Sequence, residues 1–525
     1  MRKRVSGERR MTEAARIDDE GFDETEIFVG KDVLELLSSS MYVNPLSIFR
    51  EYVQNATDAI DDAVASGLLS SIDEGRIEIN LDHIDRRVVI RDNGKGLSNK
   101  DFPARMLSFG ASEKRGTDAR GFRGVGRLSG LGYVQQLVFR SRAKGDTKVL
   151  EATWDGRIVK RMLAKNDSEA DLRTIVREAV TLKKLEPEDY PAHFFEVELI
   201  KPRRIANDRL LNEIEIEAFV SQVCPCPFSP EFSYGQEIAT LLKAHGRAGK
   251  SYQIHINGAE EPVCRPYRDY VEYSDTKKAS LRSLKTFEIE SIDGEPAAVG
   301  WLIHHDYQGA IPSAQGVRGL RARVGNIQVG HDRLFLEVFP EDRFCSWTIG
   351  EVHVLDGRVV PNGRRDEFES NMHLDNIIAH LRPVGAEVAR ECRVSSQKRN
   401  RLKTFELAAD KIYEKLDVLK QGAVSARFAK SIKAEIGTLL AEMRKAVEFD
   451  LFEDEDRRAM LGRLASIEKA VDARTTKAEG DIFESLPASK RATYKEVFDL
   501  IYDCSVNQVA AKSLIDRMLD RLSRL

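Results

Sequence analysis

The sequence predicts a multidomain α+β protein: an N-terminal α/β sandwich, an α/β middle region and an all-α C-terminal region. Three observations carry this. From Phe28 to Ile200, helical and strand-like periodicities alternate. A proline-rich stretch, Cys224–Pro230, then interrupts the pattern before a second α/β region that runs to about Arg393. From Ser395 onward, apolar residues recur three and four apart, the spacing of packed helices. The expected segments are a flexible arm over residues 1–26, a first domain over 27–205, a middle domain over 206–394 and a helical domain over 395–525.

The arm mixes a basic start (Arg2, Lys3, Arg4, Arg9, Arg10) with an acidic run (Asp18, Asp19, Glu20, Asp23, Glu24) and few apolar residues, the composition of a disordered segment. The alternative is a strap that orders on dimerisation. Lys31–Ser38 and Pro45–Ala65 read as helices. Arg76–Leu81 and Arg87–Arg91 read as strands joined by a short polar turn. Asp101–Ala119 is rich in Gly, Ser and charge, lacks periodicity and suits a mobile lid. Gly126–Tyr133 reads as a short helix, and Gln136–Arg142, Lys148–Trp154 and Phe194–Ile200 as strands. Helices on one side of such a mixed sheet give the sandwich.

In the middle region strands are expected at Gly325–Val329, Leu334–Val338 and Ile349–Val354. Leu402, Phe405, Ala409, Ile412, Leu416 and Leu419 form a heptad seam. Ile515, Met518, Leu519, Leu522 and Leu525 form a second amphipathic face. Both read as the core of a helical bundle.

The net charge of -4 supplies no global field for nucleic acid or an anionic membrane, so only a local basic stripe would bind DNA. The apolar runs fall far short of the roughly 18 residues of a membrane span, and the N-terminus lacks the apolar core of a secretory signal. Six cysteines are too few for a disulfide scaffold, and the single-residue spacing of Cys224 and Cys226 is wrong for a zinc knuckle. The expectation is a cytoplasmic protein with no membrane partner.

The chemistry is organised around Phe49–Asp62, FREYVQNATDAIDD. Glu51, Asn55 and Asp58 are spaced i, i+4, i+7 on one helical face, and Ile48, Tyr52, Ala56, Ala59 and Ile60 are assigned to the opposite, apolar face. Two carboxylates and an amide suggest a cation and an activated water. Taken alone, a solvated polar face is the simpler reading; two loops change it. In Arg91–Gly96, RDNGKG, Asp92 can accept a hydrogen bond from an exocyclic amine, and Gly94 and Gly96 let backbone approach a flat ring. In Gly121–Gly126, GFRGVG, glycines before a helix let N–H groups converge on phosphate oxygens. No strand immediately precedes this loop, which argues against a dinucleotide-binding fingerprint. A Walker-type GxxxxGK[ST] is absent.

In that order, EYVQNATDAIDD, DNGKGL and GFRGVGRLSG resemble the N-box, second motif and lid-hinge motif of the GHKL ATPases, the superfamily of gyrase, the heat-shock chaperone, histidine kinase and MutL. The resemblance covers roughly residues 28–205 and implies a Bergerat-type ATPase domain that binds ATP and Mg2+. It implies that Glu51 is the general base orienting the attacking water and that Asn55 holds Mg2+, which bridges the phosphates. Asp92 would recognise the adenine amine, with Gly94 and Gly96 making room for the ring. Gly121, Phe122, Arg123, Gly124, Val125 and Gly126 would cradle phosphates. Asp58 would support the helix and its waters beside the nucleotide, and Lys114 in SFGASEK matches a lid lysine. One departure stands out: the family's Gly-Thr near the last strand is replaced here by HFFEVELI, residues 193–200.

The stretch VVPNGRRDEFE, residues 359–369, is similar to the catalytic loop of heat-shock-chaperone middle domains, and Arg365 matches its arginine. RARVGN, Arg321–Asn326, resembles middle domains of chaperone and MORC-like ATPases, and Arg318, Arg321 and Arg323 are expected to form an anion patch. The implied function is an HtpG-like chaperone, a homodimer whose ATP-driven closure remodels a protein client. The alternative is a MORC- or MutL-like clamp acting on DNA, including one in bacterial phage defence.

Overall fold

Short runs of alternating apolar residues build the first sheet, and one amphipathic helix covers its centre. In the computed structural model the residues described are 44–107, 126–164, 172–205, 207–475, 483 and 487–522. The arm, the helix expected at Lys31–Ser38, most of the expected lid and the loop Gly121–Val125 lie outside them. The chain divides into two compact units, with the break at Ala389 and Arg390.

The first unit opens with helix α1 (Ser47–Ala65), strands β1 (Arg76–Asp82) and β2 (Arg87–Asp92), and helix α2 (Asp101–Leu107). A 3-10 turn at Gly126–Gly132 leads to β3 (Gln136–Arg142) and β4 (Val149–Asp155). Helices α3 (Gly156–Ala164) and α4 (Leu172–Ala179) precede β5 (Val180–Leu185) and β6 (Phe194–Ile200). After α5 (Glu213–Val223) and α6 (Gly235–Lys243), β7 (Gln253–Ile256) returns to the same sheet. The strand order is β5-β4-β3-β6-β2-β1-β7. Its pairs are antiparallel except β1 with β7, which run parallel.

The period-2 alternation of β6 explains the layering. Val197 and Leu199 join Ile48, Phe49, Val53 and Ile60 of α1 in one apolar core. Glu196 and Glu198 point to the other face, where Arg140 donates to both at 2.8 Å and to Glu151 at 2.8 Å, and Arg91 donates to Glu196 at 2.6 Å. Helices thus cover one face, and a ladder of ion pairs closes the other.

Two local expectations are corrected. Asp101–Leu107 is a helix rather than aperiodic lid: Phe102 and Met106, one turn apart, are both buried, and the Ser98 hydroxyl accepts from Asp101 N at 3.1 Å. Gly126–Gly132 is a 3-10 turn rather than an α-helix, in keeping with its three glycines and their low helical propensity.

The second sheet holds β8 (Tyr270–Ser274), β9 (Lys277–Glu290), β10 (Pro296–His305), β11 (Gly319–Val324), β12 (Ile327–Val329) and, after the short helix α7 (Asp342–Cys345), β13 (Ile349–Val354). Its order is β12-β11-β13-β10-β9-β8. The strand expected from Gly325 begins at Ile327, because Gly325 and Asn326 both take positive φ, 56 and 67°, and form the β11–β12 turn. Leu334–Val338 is not a strand. A 3-10 turn occupies Leu336–Val338, with Phe335 and Val338 both buried, so alternation is lost.

In the second unit, the latter part of α8 (Met372–Gln421) packs with α9 (Ala426–Val447), α10 (Asp454–Thr475), α11 (Ala488–Cys504) and α12 (Gln508–Leu522). Phe405, Ala409, Ile412 and Leu416 of the seam are buried with Met443, Ile467, Phe498 and Ile515. Leu402 is exposed, so the seam starts one step later than its spacing suggested. Leu419, Met518, Leu519 and Leu522 pack at the margin of this core, and Leu525 lies outside the described residues.

Candidate active site

Helix α1 has no glycine or proline between Ser47 and Ala65, and its apolar side seats it on the sheet. Two glycine contacts meet its flank. A Cβ on Gly126 would lie 2.7 Å from Glu51 Oε2, and one on Gly94 would lie 2.7 Å from the Ala59 carbonyl carbon. At Gly94 the clash would be with backbone, so only glycine fits; at Gly126 it would be with the tip of the Glu51 side chain, which a larger residue would displace. Glu51 and Ala59 are two turns apart, roughly 12 Å along the axis, with half-buried Asn55 between them. Ala59 therefore belongs to the flank that meets the loops and not to the opposite apolar face, where the sequence reading had placed it.

Asp92 ends β2 with 4% of its surface exposed. Burial pushes its carboxyl up to about 7, against the pull of two backbone donors, Gly94 N–H at 2.9 Å and Phe195 N–H. Gly96, at φ 68°, is pressed between strand ends, and a Cβ there would overlap the Arg142 carbonyl oxygen at 2.1 Å. Lys95 N donates to Ala59 O at 3.0 Å, Leu97 N donates to Ser141 Oγ at 2.7 Å, and Ser141 Oγ donates to Phe194 O at 3.0 Å. His193 Nδ1 lies 2.9 Å from Gly94 O. Ser141, His193 and the Phe194–Phe195 backbone thus brace this loop in a chain without the Gly-Thr pair.

At the other end of the flank, Glu51 is 8% exposed. Its Oε1 lies 3.2 Å from Arg50 Nε and 3.7 Å from Arg365 Nε. Arg365 comes from a turn between Pro361 and Phe368, which form a β-bridge. Arg365 itself takes φ 57°, and its carbonyl accepts from Gly330 N at 2.8 Å. Arg50 Nη2 donates to the Arg364 carbonyl at 3.0 Å, a second tie between α1 and this turn. The structure therefore brings together Glu51 and Arg365, which are 314 positions apart in sequence.

Asp58, 3% exposed, has Arg247 at 3.7 Å, and Asp61 accepts from Lys250 Nζ at 2.9 Å and from Tyr252 OH at 2.7 Å. Asp58 thus anchors α1 to the segment before β7. Lys114, Gly121, Phe122, Arg123, Gly124 and Val125 lie outside the described residues. Sequence reasoning missed Arg50, Ser141, His193, Arg247 and Lys250; only Arg50, adjacent to Glu51, carried a signal in the motif.

The expected anion patch is overturned. Arg321 and Arg323 are 5% and 1% exposed, and Arg318 is paired with Asp332. Glu351 accepts from Arg265 at 2.5 Å, Arg323 at 2.6 Å and Tyr267 at 3.0 Å, with His353 Nε2 at 3.1 Å. Burial disfavours the Glu351 charge, but the two guanidiniums and His353 outweigh it and hold the carboxyl well below the ordinary range. Arg323 also donates to the carbonyls of Gln222 and Asn326, and Arg265 to that of Cys226. These charges fasten the proline-rich stretch to the second sheet. Among the described residues, no three His, Cys, Asp or Glu side chains cluster as metal ligands, and no helix is long and apolar enough to cross a membrane.

Residues 44–182, which hold α1 and both glycine contacts, match the family described as histidine kinase-, DNA gyrase B- and HSP90-like ATPase. This region is a GHKL-type ATPase domain with HtpG-like features, and such a domain implies ATP binding. It is similar to the chaperone protein HtpG of Idiomarina loihiensis, 34% identical over 164 residues (27% of this chain, 25% of the relative). HtpG of Rickettsia typhi is 28% identical over 144 residues (24% and 23%), and that of Sulfurovum sp. 36% over 95 (17% and 14%). The chain thus spans about a quarter or less of the length of these curated relatives.

Proposed function

We propose that the chain hydrolyses ATP with Mg2+ and, as an HtpG-like homodimer, uses closure on ATP to remodel a protein client. The observation that carries this is Arg365 on Glu51: a cation from beyond the first domain's own motifs meets the candidate base. The site's chemistry supports a nucleotide, since Asp92 offers a buried acceptor beside a glycine loop that packs closely on α1. In this reading Asp92 accepts from the adenine amine, and Gly94 and Gly96 line the ring. Gly121 to Gly126 and Lys114 would hold the phosphates, and Asn55 would hold Mg2+, whose charge would offset that of the phosphates. Glu51 orients water and takes its proton. Arg365, now balanced by Glu51, is drawn toward the γ-phosphate and releases the carboxylate for that task. Residues 27–205 serve as the ATPase domain, 206–394 as the middle domain and 395–525 as the helical domain, in the cytoplasm.

ATP turnover in the wild type, Glu51→Ala and Arg365→Ala tests the reading. Glu51→Ala is expected to bind nucleotide and turn it over about 10²–10⁴-fold more slowly; undiminished turnover would remove the general-base assignment. Arg365→Ala is expected to slow turnover by about 10³-fold. Added unfolded protein should stimulate the wild type. Stimulation instead by duplex DNA, falling steeply with salt, would transfer the function to a MORC- or MutL-like clamp, as in phage defence.

A further inference from the structure

The strands that carry Asp92 and the Arg142–Phe194 contact at one end carry a basic cavity at the other. It has a volume of about 520 Å³ and is lined by six cations, Arg86, Arg157, Lys160, Lys201, Arg203 and Arg204, with no carboxylate among the described residues that line it. Its position is fixed by topology. Arg86 precedes β2, Gln135 precedes β3 and Lys201 follows β6, whereas the candidate nucleotide site uses the opposite ends of the same strands. At about 3.4 Å per residue, the six-residue β2 puts the cavity roughly 20 Å from Asp92.

The frame is rigid. Lys201 N donates to Arg86 O at 2.8 Å, Gln135 N to Ile200 O at 3.1 Å, Arg203 N to Tyr133 O at 2.8 Å and Gly156 N to Gln135 O at 2.8 Å. Two of the six cations are spoken for. Arg86 forms a two-pronged pair with Asp208 at 2.5 and 2.7 Å, and Arg157 pairs with Asp155 at 2.8 Å. Among the described residues no ion pair is formed by Lys160, Lys201 or Arg203, and Arg204 has only the field of Asp208, already bonded to Arg86. Burial, and then the charge of Arg203, push the Lys160 ammonium down to about 8, as expected where cations face one another without a counter-charge. Arg86 and Lys201 also hold left-handed backbone, φ 53 and 50°, a conformation that side-chain-bearing residues rarely adopt.

We propose that this cavity binds a small ligand bearing two or more phosphoryl groups, at a site separate from the candidate nucleotide site. Arginine and lysine arranged around a concavity match several phosphoryl oxygens at once. The volume lies within the range of small-molecule pockets, and a concavity of this size suits a compact polyanion better than the long, even charge of a duplex. Tyr133, whose carbonyl holds Arg203, follows directly on the segment that starts at Gly126 against Glu51, so a bound ligand would brace one end of that segment.

The test is calorimetric titration of the full chain with inorganic tripolyphosphate, repeated with the nucleotide site saturated by ADP. Lys160→Glu/Arg203→Glu, neither residue being in the nucleotide site, is expected to weaken the ADP-resistant tripolyphosphate binding tenfold or more and to leave ATP turnover within about twofold. Lys160→Arg/Arg203→Lys should retain binding, which separates lost charge from lost fold, and orthophosphate should bind more weakly than tripolyphosphate. The proposal is overturned if ADP abolishes all tripolyphosphate binding, if the charge reversal leaves binding unchanged, or if a short DNA duplex displaces tripolyphosphate and loses its own binding in the same variant.

Discussion

Glu51 and Glu351 are both buried glutamates between two arginines, yet they are held differently. Glu351 is 0% exposed and meets four donor side chains at 2.5 to 3.1 Å, so its acceptor sites are filled. Glu51 is 8% exposed and has contacts at 3.2 and 3.7 Å, which leaves lone pairs for a water or a ligand. The comparison teaches that ion pairing alone does not mark a functional acid. What separates them is spare capacity: a saturated carboxylate holds structure together, and an under-filled one can exchange partners.

Neutralising Glu351 gives the largest expected effect on the fold. Glu351→Gln leaves two buried guanidiniums without their counter-charge and should cost about 3–5 kcal/mol, read from the denaturant midpoint. Glu51→Ala removes longer contacts, at 3.2 and 3.7 Å, and should lower that midpoint by less than Glu351→Gln does, although it slows turnover; similar losses of stability at the two positions would erase the distinction. Tyr267→Phe is the milder version, deleting one hydrogen bond to Glu351 at an expected cost of about 1.5–3 kcal/mol. The smallest effect concerns Asp92. Its carboxyl keeps a proton up to about 7 when folded, against an ordinary value of 3.8. The folded state thus binds the extra proton between those values, and this residue lowers stability as pH rises from about 4 to about 7, with no further change above. Nucleotide affinity should run the other way, because the ionised carboxylate is the stronger acceptor. ADP is expected to bind about tenfold tighter at pH 8 than at pH 6, and Asp92→Asn should flatten both slopes.

Much of the first unit was legible because its signals are local. The period-2 runs at Arg76–Leu81, Arg87–Arg91, Gln136–Arg142 and Phe194–Ile200 became strands within a residue or so, and the α1 pattern became a helix. The encounter of Glu51 with Arg365 followed from a motif resemblance at each end, since spacing alone does not reach across 314 positions. The arginines of RARVGN misled for a physical reason: charge is visible in a sequence, and its counter-charge is not. Nothing near Arg321 or Arg323 in the chain announces Glu351. The basic cavity escaped for the converse reason, because its cations come from the turn before β2, from α3 and from the end of β6, and no short stretch holds enough of them to stand out.

Strand β7 bears on where this molecule can be divided. Residues 253–256 pair with Arg76–Ile79 of β1 and form the outer edge of the first sheet. A fragment that stopped at residue 205 would leave one side of β1 as a row of unsatisfied N–H and C=O groups, with Ile77 and Ile79 beside it, and such edges template aggregation. It would also lose Arg247, Lys250 and Tyr252, the partners of Asp58 and Asp61 on α1. The smallest piece that keeps its own boundary intact therefore extends past residue 256. Any truncation series meant to isolate nucleotide binding has its natural end point there.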